Sequence, residues 1–178
     1  MISIRESTFE SNSSSCHSLT ICSKDQFNRW QKDEILFAVS MEDFVEKGEI
    51  YEKCTQHIQL RLKDLTKEPL SDWEREFFED LKRLSEMNIS KEDFDNTVEH
   101  LLEILDGDLS YDKVEDGVEI SETEKAVLDM VLLVYDSGLL TADAYNEYIC
   151  NCGHEDFLET KTINGVEVVA FGYSGYDG

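Results

Sequence analysis

Apolar and polar residues alternate near the start of the chain and give way to a helical rhythm by its middle. Residues 2–5 and 19–22 alternate as half-buried strands do, throwing successive side chains to opposite faces. The polar run ESTFESNSSSCH between them predicts the loop or bulged edge of an N-terminal hairpin. Residues 25–32 predict a short helix that turns Phe27 and Trp30 inward. Residues 35–39 form a continuous apolar run of the kind a buried strand shows.

From Met41 the period lengthens. Phe44 and Val45 open one apolar face, and Ile50, Cys54, Ile58, Leu62 and Leu65 continue one at steps of four, four, four and three. Such steps keep side chains on one side of an α-helix. Pro69 closes the segment, since it lacks an amide proton and clashes with the preceding turn. Ser71 with Glu74, Ser90 with Asp93 and Ser121 with Glu124 each set a hydroxyl three residues before an acid, as a capped helix start requires. The inner faces that follow are Trp73, Phe77, Leu81 and Leu84, then Phe94, Val98, Leu101, Leu102 and Leu105, then Val127, Leu128, Val131 and Val134. A polar loop through Gly107 and Gly117 separates the second from the third, which stops near Gly138. Thr141 caps a last short helix through Tyr145 and Tyr148.

The end of the chain returns to period two. TKTINGVEVVAF carries Asn164-Gly165 between two β-prone runs, and this pair tolerates the left-handed backbone of a two-residue hairpin turn. Strands at both ends and helices between predict an α+β fold. Its small antiparallel sheet is formed by N- and C-terminal strands, with a helical middle segment across one face. With one proline and no Pro-rich linker, a single domain over 1–178 is expected. It divides into N-terminal strands and a Ser-rich loop (1–40), an acidic helical segment (41–150) and a C-terminal β-hairpin (157–173).

Charge changes the picture more than composition does. Hydrophobic residues at 40% are too many for a disordered chain, yet forty acids against sixteen bases leave a net charge of −24. Such a surface repels nucleic acid and anionic lipid, and the lysines and arginines are too scattered to form a basic patch. No direct nucleic-acid or membrane partner is therefore expected; a basic protein is. Residues 72–129 concentrate the effect, with 20 acids against 6 bases. On amphipathic helices these carboxylates lie on solvated faces, because burying them unpaired is costly. Glu74, Glu76, Glu79, Asp80, Asp93, Asp95, Glu99 and Glu103 are the candidate partner-binding residues.

MISIRESTF lacks the basic start and apolar run of a signal peptide, and no stretch approaches the ~20 apolar residues of a membrane span. Five cysteines, an odd number, read as reduced thiols in a cytoplasm.

Four kinds of chemistry have candidate residues in the chain, each with a plainer reading beside it. Cys150, Cys152 and His154 alternate in CNCGH and would point one way on an extended strand, but paired Cys-x-x-Cys knuckles are missing. Asp106, Asp108, Ser110 and Asp112 match calcium-loop positions, while Tyr111 and Gly117 stand where the loop needs Gly and Glu. No metal or other cofactor is expected. Cys16 and His17 are neighbours, which a strand would turn to opposite faces, and no nucleophile elbow is present. A phosphate or small-ligand cradle would use the backbone and hydroxyls of Asn12, Ser13, Ser14 and Ser15 with His17, Arg5 and Glu10. The plainer reading has these polar residues bonding their own backbone in turns.

IRESTFESNSSSCHSLTI resembles the start of a loosely defined group of small proteins from phages and mobile elements of Gram-positive bacteria. These begin Arg-x-Ser-x-Phe-Glu-Thr-Asn-Ser-Ser-Ser-x-His-Ser. Arg5, Ser7, Phe9, Glu10, Asn12, Ser13, Ser14, Ser15, His17 and Ser18 match, and Ser11 replaces the threonine. The resemblance covers about a tenth of the chain and implies a setting, the host cell cytoplasm, without assigning a catalytic residue. Phages make acidic proteins that occupy the nucleic-acid channels of host defence proteins, as DNA-mimic anti-restriction and anti-CRISPR proteins do. The first expectation is accordingly an interaction protein that inhibits or regulates a basic nucleic-acid-handling host protein, such as a nuclease. The alternative is a small-ligand or phosphate-binding enzyme built on the Asn-Ser-Ser-Ser-x-His loop.

Overall fold

The computed structural model describes residues 15–66, 71–115, 117–151 and 155–176. In chain order the elements are β1 (Ser15–Ser23), α1 (Lys24–Trp30), β2 (Ile35–Ala38), β3 (Asp43–Glu46), α2 (Ile50–Leu65), α3 (Asp72–Glu86) and α4 (Lys91–Ile104). They continue as β4 (Asp108–Leu109), α5 (Asp112–Glu115), α6 (Glu122–Leu132), β5 (Leu139–Leu140), α7 (Ala142–Asn151), β6 (Glu155–Ile163) and β7 (Val166–Tyr176). The fold is α+β, with a sheet made from strands of both ends of the chain. Asp25–Asn146 forms one compact unit, and the described residues before and after it form another.

The terminal sheet has the order β1-β7-β6, antiparallel throughout. Its hairpin turns at Asn164 and Gly165, whose φ angles of 52° and 81° are those a two-residue primed turn demands. β1 lies along β7 from Ser15 opposite Tyr176 to Ser23 opposite Val168. Gly172 lets the two strands close: a Cβ there would sit 2.0 Å from the Ser18 carbonyl oxygen. Thr20, Cys22, Val169 and Phe171 are buried on one face, while Leu19 and Ile21 on the other are exposed.

Three expectations change here. The expected 19–22 strand begins at Ser15, so Ser15, Cys16 and His17 belong to a strand and not to a loop. Its partner is the C-terminal strand β7; residues 2–5, the expected hairpin mate, lie outside the described residues. Cys150 sits in the last turn of α7, not on an extended strand, so the alternation that would have aimed it alongside Cys152 is not available. Cys152 and His154 lie outside the described residues.

The Asp25–Asn146 unit carries a second sheet, of order β3-β2-β5-β4. Its central strand β2 is buried at every position, which explains the unbroken apolar run at 35–38. Phe44 and Val45, expected to begin a helical face, instead pair as β3 with Phe37 and Leu36. Trp30 anchors this end: it is 1% exposed, its Nε1 donates to the Leu140 carbonyl at 3.2 Å, and its ring meets those of Phe37, Phe44 and Tyr145. Arg29 grips Glu46 with two 2.6 Å hydrogen bonds, which hold the Glu46 carboxyl below its ordinary range.

α2, α3, α4 and α6 supply the rest of the core. Ile50, Cys54 and Ile58 of α2, Leu81 and Leu84 of α3, Phe94, Val98 and Leu101 of α4, and Val127, Leu128 and Val131 of α6 form one continuous apolar cluster. Burial pushes the Cys54 thiol up to about 12, which leaves it protonated and inert at neutral pH. Trp73, expected on the inner face of α3, is 70% exposed.

Candidate functional site

α3 and α4 each begin at a serine whose side chain closes the first turn. Ser71 donates to Glu74 Oε2 from its amide at 2.8 Å and its hydroxyl at 2.6 Å, and the Glu74 amide returns a bond to Ser71 Oγ at 3.4 Å. These bonds, with the hydroxyl's first, hold the Glu74 carboxyl below its ordinary range. Ser90 and Asp93 repeat the exchange, with Ser90 Oγ donating at 2.6 Å and the Asp93 amide donating back at 3.1 Å. Glu74 and Asp93 therefore spend part of their hydrogen-bonding capacity on capping.

The other six candidates point outward to different degrees. Asp95 is half-buried and lies 3.5 Å from Lys91. Glu99 receives two hydrogen bonds from Lys47 Nζ, at 3.0 and 3.1 Å. Asp80 is 3.9 Å from Arg83. Glu76, Glu79 and Glu103 are exposed. Exposed pairs of this kind contribute little to folding, so these carboxylates remain open to exchange for a stronger cationic partner.

Helical spacing gathers further acids that the sequence reading did not single out. Asp72 and Glu86 join Glu76 and Glu79 on one face of α3, at steps of four, three and seven, with Arg83 between the last two. Glu92 lies two turns before Glu99 on α4 and all of the acids Glu92, Asp95, Glu99 and Glu103 fall on one side of it. The α3 row spans fourteen steps, about 21 Å at a 1.5 Å rise. Its four carboxylates thus come at roughly 7 Å intervals, about half the density of one strand of B-DNA, which carries a charge every ~3.4 Å.

Beside the α3 row lies a cleft of 280 Å³. Phe77, Leu81 and Leu84 line it from α3, and Leu132 and Leu133 from the end of α6. Asp80, Arg83 and Asp129 stand around it, with Arg83 Nη2 3.5 Å from Asp129. The Tyr111 hydroxyl donates to Asp129, and burial together with that bond pushes the tyrosine hydroxyl up. The Trp73 ring stacks on Phe77, with planes 4° apart and centroids 5.7 Å apart, extending the apolar surface out of the cleft.

A second, more polar cleft of 530 Å³ is lined by Asp93, Asn96, Thr97, His100, Ser121 and Glu124, among others. His100 Nε2 lies 3.1 Å from Glu124 Oε1. Glu124 in turn receives the Ser121 amide at 2.6 Å, and the bonds from Ser121 hold its carboxyl below the ordinary range. Ser121 and Glu124 are thereby committed to closing the start of α6.

Of the alternative ligand site, Ser15 and His17 lie on β1, opposite Tyr176 and Ser174 respectively. Arg5, Glu10, Asn12, Ser13 and Ser14 lie outside the described residues. Among the described residues no group of three or more His, Cys, Asp or Glu side chains is placed to hold a metal ion, and no helix is long and apolar enough to cross a membrane. No protein-family model matches the chain, and neither the curated proteins nor the solved structures give a significant match.

Proposed function

We propose that this chain is an acidic interaction protein that docks on a basic, nucleic-acid-handling host protein and inhibits or regulates it. The observation that carries the reading is the pair of carboxylate rows on α3 and α4, exposed but for the half-buried Asp95, within a chain of net charge −24. The N-terminal resemblance to phage and mobile-element proteins supplies the setting in which such a partner would be met. A cleft lined with lysine and arginine, held open for phosphates, is the complementary surface.

The spacing of the rows says what kind of imitation this is. One row reaches only about half the charge density of a phosphate strand, so the fit is not phosphate for phosphate. The partner is drawn in by the summed field and held by ion pairs that form on contact, which makes association fast and salt-sensitive. At physiological ionic strength the field reaches only ~8 Å beyond the surface, so α3 and α4 act on a partner already close by.

The test is capture from a Gram-positive host lysate by the immobilised chain at low and high salt, beside a variant carrying Glu76→Lys, Glu79→Lys, Glu99→Lys and Glu103→Lys. The reading expects a nucleic-acid-handling protein retained at low salt, released at high salt and lost by the variant. Retention indifferent to salt, or unchanged in the variant, contradicts it.

A further inference from the structure

The aromatic surface beside the α3 row is not explained by folding. A tryptophan at a helical position that periodicity would turn inward stands 70% exposed, and it is stacked on a phenylalanine that lines an open cleft. The cleft's 280 Å³ lies just below the ~300–1,000 Å³ usual for small-molecule pockets, which suits one or two side chains better than a cofactor. Its floor is apolar and its setting is acidic: Asp80 and Asp129 stand at its edge, and Glu76 and Glu79 lie on the adjoining turns of α3. Among the described residues Arg83 is the one base lining it, and it is already engaged with Asp129 and Asp80.

We propose that this cleft, with Trp73, seats a cationic amphipathic segment of the partner. This rests on the acidic-docking reading and gives it a specific anchor. One large apolar side chain of the segment enters between Phe77 and Leu132. Lysine or arginine one turn away meets Asp80, and another lies over the exposed Trp73 face, where a cation is attracted to the ring. The charge complementarity selects a basic segment, and the apolar floor selects one with a leucine or phenylalanine at helical spacing from its bases. Tryptophan, tyrosine and arginine that become desolvated on binding are the usual anchors of protein interfaces.

The test uses the full chain and two synthetic peptides of about fourteen residues, roughly 21 Å long as helices and so the length of α3. One is an amphipathic Lys-Leu peptide; the other has equal charge with serine in place of leucine. Trp30 is 1% exposed, so a change in tryptophan emission on binding reports Trp73. The Lys-Leu peptide should shift the emission to the blue and bind about tenfold more tightly than the Lys-Ser peptide, and Trp73→Ala should remove most of that margin. Asp80→Lys should weaken the Lys-Leu peptide at low salt. Melting curves of both variants, expected to match the parent, show that neither has merely unfolded. Equal affinity for the two peptides, or a Trp73→Ala variant that keeps the margin, overturns the cleft while leaving the acidic-docking reading intact. If neither peptide binds at low salt, both readings fall.

Discussion

α4 buries the whole of its apolar face, with Phe94, Val98, Leu101 and Leu102 all inside the core. α3 is one residue longer and opens with the same serine-to-acid exchange, yet buries only Leu81 and Leu84 and leaves Phe77 half-covered and Trp73 in solvent. The two helices carry similar acidic rows, so charge does not distinguish them. What differs is the far side of each helix. α4 is fixed along its length, whereas the first half of α3 offers an apolar edge beside its carboxylates. Folding needs α4 along its whole length; the proposed docking would make more use of α3.

The sharpest way to break this comparison is to remove a large side chain from each helix. Leu101→Ala in α4 should cost about 2–5 kcal/mol of stability, through lost burial and the cavity left behind. Trp73→Ala in α3 should stay within about 0.5 kcal/mol, despite removing the larger side chain. Urea denaturation of the two variants checks both figures, and comparable losses would place Trp73 in the core after all.

Between these extremes lie the caps. Ser71→Ala and Ser121→Ala each strip an oxygen from a helix start and should each cost about 1 kcal/mol. If α3 is the less anchored helix, Ser71→Ala should fray it locally, seen as faster amide exchange at its first turn, while Ser121→Ala lowers the global midpoint. Equal global losses would argue that α3 is held as firmly as α6.

Acid pH should give a smaller, graded effect. The carboxyls of Glu74 and Glu124 are held below 4.5 by bonds from their serines, so in the folded chain they resist protonation. A depressed folded value means the contribution is complete above the unfolded value and drains away as pH falls through the folded one. Stability should therefore fall as pH drops below about 4.5, and Glu124→Gln, which keeps a cap without the titration, should flatten part of that slope. Urea midpoints at about pH 6 and about pH 3.5 measure it, and an unchanged slope in the variant would remove the assignment.

What the sequence disclosed follows the range of the interactions involved. The Ser71–Glu74 and Ser121–Glu124 boxes and the Asn164-Gly165 turn are closed within four residues, so their signatures stand in the chain itself. That strands from both ends of the chain build one sheet was legible because both ends alternate; that β1 pairs directly with β7 was not, since alternation names no partner. The second sheet was not: β4 and β5 are two residues each and pair with strands far along the chain, leaving no period to read. Phe44 and Val45 read as part of a helical face because the steps that follow from Ile50 are helical, while pairing with β2 makes them a strand.

The candidate site was legible to the same extent. Periodicity marks the acids of α3 and α4 as solvent-facing, and it marks Trp73 as belonging with Phe77 and Leu81. It cannot say whether anything stands opposite that stripe, and Trp73 is 70% exposed. That Glu74 and Asp93 are partly spent on capping was legible in their Ser-x-x-acid spacing, which sets them apart from the other acids of the two rows.

If the acidic helices α3 and α4 occupy a partner surface that otherwise takes nucleic acid, duplex and chain must compete for it. The most direct measurement is competition: the chain bound to its captured partner, titrated with a duplex oligonucleotide at constant ionic strength. The duplex should displace the chain, and excess chain should displace the duplex in return. A stable complex of all three would contradict it.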